Sequence, residues 1–250
     1  AGGSDAAVGI LMAKLTVAPP RRSAVEAHVG SVRAEIEAAA ARFKPKPGRD
    51  GERVELVEHQ AAEANELTRT VKNVANDLNG LTAAVYSYQD RYKRLPGDDP
   101  GADRWSIAGA AIAPPASAGS NVIDGTYEST TNTDESRLFW AELRMAGFVA
   151  GATDTLANAA SQPINAAGGI VGVQNGALGL AGTVICSGSL PAKIAQAIDS
   201  QFDDGNMLTG TLRGQLETTP PTAVAAAALA AGTAGYIDNG TNLYTVCKNL

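Results

Sequence analysis

Apolar residues recur at alternating steps of three and four along one stretch: Val71, Val74, Leu78, Leu81, Val85, Tyr88 and Tyr92. That spacing lines a single face of a helix. Lys72, Asn73, Asp77, Ser87, Gln89 and Arg91 fall on the opposite face, so the helix is predicted to pack on one side only. Leu95-Pro96-Gly97-Asp98-Asp99 ends it, because the residue before a proline is driven out of the α region and the glycine turns the chain. Upstream, Val25, Val29, Val32, Ile36, Ala39 and Phe43 repeat the pattern, and Ser23 with Glu26 forms a capping box; a helix is predicted over 23–43. The segment 44–52, KPKPGRDGE, reads as a loop. The helical pattern resumes at Arg53 and runs through Val57, Gln60, Ala64 and Leu67 into Val71, a second helix of about 40 residues. Two such helices joined by a short loop predict an antiparallel hairpin with its apolar seams together.

Beyond the long helix the pattern changes. Residues 100–133 are rich in Gly, Pro, Ser and Asn and predict a long loop containing one strand candidate, NVIDGTYES at 121–129. Glu135 to Val149 reads as a short amphipathic helix ended by Gly147, with Trp140 as a packing anchor. Residues 168–174 and 177–185 read as two strands joined by a turn at Gln174-Asn175-Gly176, Asn-Gly being the strongest hairpin signal in the chain. A helix is expected over 191–202, ending at Asp203-Asp204-Gly205, then strands over 209–216 and 235–246. The alanine-rich run 223–231 reads as a short helix or a loop. One long helix followed by antiparallel strands predicts an α+β fold in which a sheet covers the apolar stripe.

Charge narrows the function classes. Residues 1–70 hold ten basic and ten acidic side chains, residues 71–250 ten basic and sixteen acidic, so the net charge of −6 belongs to the second part. With no clustered Lys and Arg to neutralise phosphates, nucleic acid is not an expected partner. The GGIVGVQNG run lacks the Lys-Ser/Thr of a phosphate loop. The two histidines, His28 and His59, both lie on the front helices, leaving none for Ser-His-Asp, Cys-His or His-metal chemistry in residues 66–250. The expectation is a protein that is not an enzyme and carries no catalytic residue. Asp199, Asp203 and Asp204 surround a glycine turn with hard oxygen donors of the kind calcium takes, although the spacing is not that of an EF-hand; otherwise Asp203 or Asp204 caps the turn and Asp199 is solvated. The two cysteines, Cys186 and Cys247, read on their own either as buried thiols or as a pair.

Three ordered motifs are similar to those of one family. KNVANDLNGL followed by YSYQDRYKRLPGDD resembles the exposed half of the long first helix and the αβ loop of type IV pilin-like proteins. ESRLFWAELRMAGFVAG resembles the family's short amphipathic segment, and CSGSLPAKIAQAIDSQFDDGNMLTGTLRG its A-x-x-I-D…DDG…G region with a second cysteine near the C-terminus. The resemblance spans about residues 66–250 and implies a pilin-like head, with a long N-terminal helix packed on an antiparallel β-sheet. It implies a Cys186–Cys247 disulfide, because such heads are displayed in an oxidising compartment, the extracellular or periplasmic face of a bacterial cell. It also implies a structural subunit of a type IV pilus or related pseudopilus, working by filament assembly and surface display with other pilin or pseudopilin subunits as partners. The rival within the family is a minor pseudopilin of type II secretion, some of which bind calcium in C-terminal loops. The rival outside it is a soluble adhesin or binding module that meets a surface ligand or receptor. Residues 1–65 show no basic leader, no glutamate at the fifth mature position and no apolar stem, so they are expected to be a helical hairpin extension, a fusion or non-pilin segment, with no membrane span.

Overall fold

In a computed structural model, the structure describes residues 50–250 together with Ala34 and Ala38, both helical, and side chains in the main region from Val57 onward. Apart from Ala34 and Ala38, the helix expected over 23–43 lies outside the described residues, as do most of the 44–52 loop and the hairpin expected there. The chain divides into two compact units, residues 1–60 and residues 61–250. Helix α1 runs from Asp50 to Tyr92. The loop expected at 44–52 therefore ends sooner than its composition suggests, because its two prolines precede Asp50 and only Gly51 opposes the helix.

The second unit is mixed α and β. After α1 come a single 3-10 turn at Ala102–Arg104, the two-residue strands β1 (Ser106–Ile107) and β2 (Ala110–Ala111), helix α2 (Glu135–Met145) and the short α3 (Leu156–Ala159). Then follow β3 (Val171–Ala177), β4 (Leu180–Pro191), α4 (Ala192–Phe202), β5 (Leu212–Leu216) and β6 (Leu243–Asn249). The larger sheet is antiparallel throughout, in the order β3-β4-β6-β5, so the last strand in sequence sits inside it.

Both faces of this sheet are covered. Val74, Leu78, Leu81, Val85 and Tyr88 of α1 are buried in one core with Val171, Val173, Ile185, Leu190, Tyr244 and Val246, and Val71 and Tyr92 pack at its edge. Because strand side chains alternate, Val184, Cys186 and Cys247 point the other way. They pack with Tyr127, Leu178 and the half-buried Val224 and Leu229, all from loops. Cys186 and Cys247 are directly paired in the β4–β6 ladder and joined by a disulfide 61 residues apart in sequence. Helix α2 is buried all round from Glu135 to Arg144, with Trp140 only 1% exposed.

Several sequence expectations are corrected here. Segment 121–129 is irregular, since Asn121 and Gly125 adopt positive φ and the Asp124 and Tyr127 amides donate to Glu135 and Gln174 side chains. The β3–β4 hairpin turns at Leu178-Gly179, both at positive φ, whereas Asn175-Gly176 forms a bulge inside β3. Of the two readings of segment 223–231, the loop is the one found, and its Ala225 and Ala226 carbonyls accept from the hairpin-turn amides of Leu178 and Gly179. Strand β5 starts at Leu212 rather than Thr209, because Asp203 takes the Thr211 and Leu212 amides. Strand β6 starts at Leu243, because Ile237 is held by the Tyr244 hydroxyl and Asn239 caps the Thr241 and Asn242 amides.

Candidate functional site

The polar groups of the second unit concentrate where α1 ends. Gly97 holds φ +87°, and a Cβ there would collide with the Glu135 carbonyl of α2, so the turn that ends α1 requires glycine. That turn sends the adjacent carboxylates of Asp98 and Asp99, each 1% exposed, to different partners. Asp98 accepts from the amides of Gly119 (2.6 Å), Ser120 (3.0 Å) and Asn121 (2.6 Å), gathering the far end of the long loop. Asp99 accepts from the Tyr88 hydroxyl at 2.7 Å, the Gly101 amide at 2.8 Å and the Arg104 guanidinium at 2.6 and 3.2 Å. Arg104 in turn lies over the rings of Tyr92 and Trp105, at 4.8 and 4.7 Å. Burial works against the Asp99 charge, but the hydrogen bonds from Arg104, Tyr88 and Gly101 outweigh it and hold its carboxyl below the ordinary aspartate value.

Helix α2 contributes Glu142, fully buried, whose Oε2 lies 3.0 Å from the Tyr88 hydroxyl and 2.7 Å from the Gly97 amide. Burial, helped by the Asp99 charge, pushes its carboxyl up to about 8 against the bonds from Gly97 and Tyr88 and the pull of Arg104. Glu135, one end of the same helix, holds Ser117 and the Asp124 amide. At the other end Arg144 donates to the carbonyls of Ala159 (2.5 Å) and Ser161 (2.7 Å). The sequence pattern places Asp98 and Asp99 only in the stop that ends α1, and it does not point to Glu142 as a site residue. The available signal was its setting: a glutamate between Trp140-Ala141 and Leu143 in a run too apolar to leave it solvated.

The three aspartates considered for calcium do not converge. Asp199 is fully buried, a correction to its expected solvation, and accepts from the Tyr236 hydroxyl at 2.8 Å and the Gly205 amide at 3.0 Å. Burial raises its carboxyl to about 6, with Asp204 and Asp203 adding to the effect. Asp203 caps the start of β5, and Asp204 takes the Asn206 amide and the Thr209 hydroxyl at 2.6 Å. Among the described residues no group of three or more His, Cys, Asp or Glu is placed to hold a metal ion. On the outer face, Glu217 receives the Thr245 hydroxyl at 2.5 Å and the Ser189 amide at 2.7 Å, while the Tyr127 hydroxyl meets Thr245 at 3.2 Å. Each of these carboxylates accepts hydrogen bonds from amides or hydroxyls of loop or neighbouring segments.

His59 is exposed on α1 in the first unit, and His28 lies outside the described residues. Among the described residues no helix is long and apolar enough to cross a membrane. One shallow groove beside α1 is lined by Tyr86, Gln89, Leu95, Thr183 and Leu250, with the Tyr86 side chain largely exposed. No protein-family model matches the chain, and neither a curated protein nor a solved structure matches it.

Proposed function

We propose that this chain is a structural subunit of a type IV pilus or a related pseudopilus, acting by filament assembly and surface display on the extracellular or periplasmic face of a bacterial cell, without turnover. The observation that supports it most is the long helix with one apolar stripe buried against a four-stranded antiparallel sheet, followed by a C-terminal region closed by the Cys186–Cys247 disulfide. The polar back of that helix stays exposed at Lys72, Asn73, Asn76, Asp77 and Asn79, which leaves a face for neighbouring pilin or pseudopilin subunits. A disulfide also suits an oxidising compartment. Antibody labelling of the cells that encode the protein, with electron microscopy of their sheared surface fraction, tests the reading. Label along filaments is expected for a pilus. Loss of protein secretion on deletion, with label confined to the envelope, identifies the minor pseudopilin of type II secretion instead. Protein found only free in solution overturns both.

A second reading from another class, a soluble adhesin or binding module, draws on the exposed Tyr86 in the groove beside α1. Saturation-transfer NMR against immobilised host-surface glycans and proteins, repeated on Tyr86→Ala, tests it; binding that persists in the variant removes the groove from consideration.

A further inference from the structure

The Tyr88 hydroxyl carries one proton and lies within hydrogen-bond distance of two carboxyl groups, Asp99 Oδ2 at 2.7 Å and Glu142 Oε2 at 3.0 Å. It can donate to only one of them. Asp99 is bound twice by the Arg104 guanidinium and once by the Gly101 amide, the surroundings of an ionised carboxylate and the stronger claim on the tyrosine proton. The remaining short contact, between two oxygens, then needs a proton of its own. It has one source, the carboxyl of Glu142. Glu142 is fully buried, its Oε1 has no hydrogen-bond partner, and the Tyr88 ring beside it is enclosed by Tyr92, Trp105 and Phe148 at 4.7, 5.9 and 6.4 Å. An ionised carboxylate with a bare oxygen in that setting is costly; a neutral acid is not.

We propose that Glu142 is held as a neutral carboxylic acid whose proton bonds it to Tyr88, making the junction of α1 and α2 a clamp that is closed while the acid keeps its proton and loses its direct helix-to-helix link when the proton leaves. In the closed form Glu142 Oε2 donates to Tyr88 and still accepts from the Gly97 amide through its second lone pair. Tyr88 keeps its own proton and donates it in the hydrogen bond to ionised Asp99. When Glu142 ionises, two carboxylates face one hydroxyl, and the Asp99 arm keeps it because Arg104 remains there. The groups that face Glu142 are Tyr88 from α1 and Gly97, Asp99 and Arg104 from the segment after it; Asp99 opposes its ionisation and Arg104 favours it. The balance, dominated by burial, places the proton's departure near pH 8.

The sign follows. A carboxyl whose folded value lies above its unfolded value makes the native state bind the proton more tightly, so its contribution is complete below about pH 4.5 and is lost as the pH climbs through about 8. Carbon NMR of the protein labelled at glutamate carboxyls tests the assignment, with thermal unfolding of the wild type and Glu142→Gln across the same range. The expected result is one glutamate carboxyl titrating near pH 8 and absent from the variant. The melting temperature of the wild type is also expected to fall relative to the variant between about pH 4.5 and 8, with the gap constant above. If every glutamate carboxyl titrates near the ordinary value of about 4.3, or the gap is independent of pH, the clamp is wrong. Should Glu142→Gln fail to fold, the wild-type titration alone decides.

Discussion

Removing the Tyr88 hydroxyl leaves Glu142 Oε2 with the Gly97 amide and Asp99 with Arg104 and Gly101, so Tyr88→Phe deletes the link between the two carboxyls while keeping the ring and its packing. A loss of about 1.5–3 kcal/mol in urea unfolding is expected, the range for a buried hydroxyl donating to a charged carboxylate, here Asp99. An unchanged midpoint assigns the junction's strength to packing alone. Asp199 gives a second residue-scale prediction. Its carboxyl, raised by burial from 3.8 to about 6, contributes stability that is complete below about pH 3.8 and lost as the pH rises through about 6. Asp199→Asn therefore removes that fall, and melting curves of the two proteins are expected to diverge across this window and run parallel above it. Parallel curves throughout mean that Asp199 ionises in the native state as it does in the unfolded chain. These residues were hard to read from sequence for one reason. An aspartate or glutamate letter is the same on a solvated face and in a core; the apolar run around Glu142 hinted at burial, whereas only the fold around Asp199 reveals that it has lost its water.

Among the elements, α1 was the most legible, since seven apolar positions on one stripe leave no other packing, and the Leu95-Pro96-Gly97 stop is local chemistry. The β3–β4 hairpin was legible as a hairpin and misplaced by a few residues. Two candidate turns compete there: Asn175-Gly176 is the better local signal, but Leu178-Gly179 puts Ala177 and Leu180 opposite each other and both in the outer-face core. Burial decided, and the Asn-Gly pair became a bulge. The late start of β6 had no sequence signal, because a Tyr244 hydroxyl holding Ile237 is a tertiary bond. Gly80 supplies a prediction at this scale. It is exposed in the interior of α1, and a Cβ there would meet nothing within 4 Å. Gly80→Ala is expected to stabilise the protein by up to about 1 kcal/mol through the helix alone. A lower melting temperature instead means that this face of α1 tolerates no added methyl.

For the molecule as a whole, the α+β class followed from periodicities of 3.6 and 2, whereas the disulfide came from the family resemblance and not from the positions of the cysteines. The structure adds why these two cysteines meet: they occupy opposed places on neighbouring strands, on the sheet face away from α1. Reduction reopens a loop of about 60 residues, for which the chain-entropy model gives about 4 kcal/mol. The expected outcome is a lower melting temperature and two alkylatable thiols that appear only after reductant is added; two thiols in the untreated, denatured protein contradict the bond.

The order of strands bears on how the molecule comes into being as well as on how it stands. Synthesis delivers β3, β4 and β5 before β6, yet β5 has no neighbour in the sheet other than β6, and Cys186 has no partner until Cys247 is made. A chain extended past residue 216 but not yet to residue 243 thus holds the β3–β4 hairpin, a β5 without its neighbour and Cys186 without its partner. The seven-residue β6 inserts between β4 and β5, so completion of the larger sheet and closure of the Cys186–Cys247 bond both wait for residues 243–249.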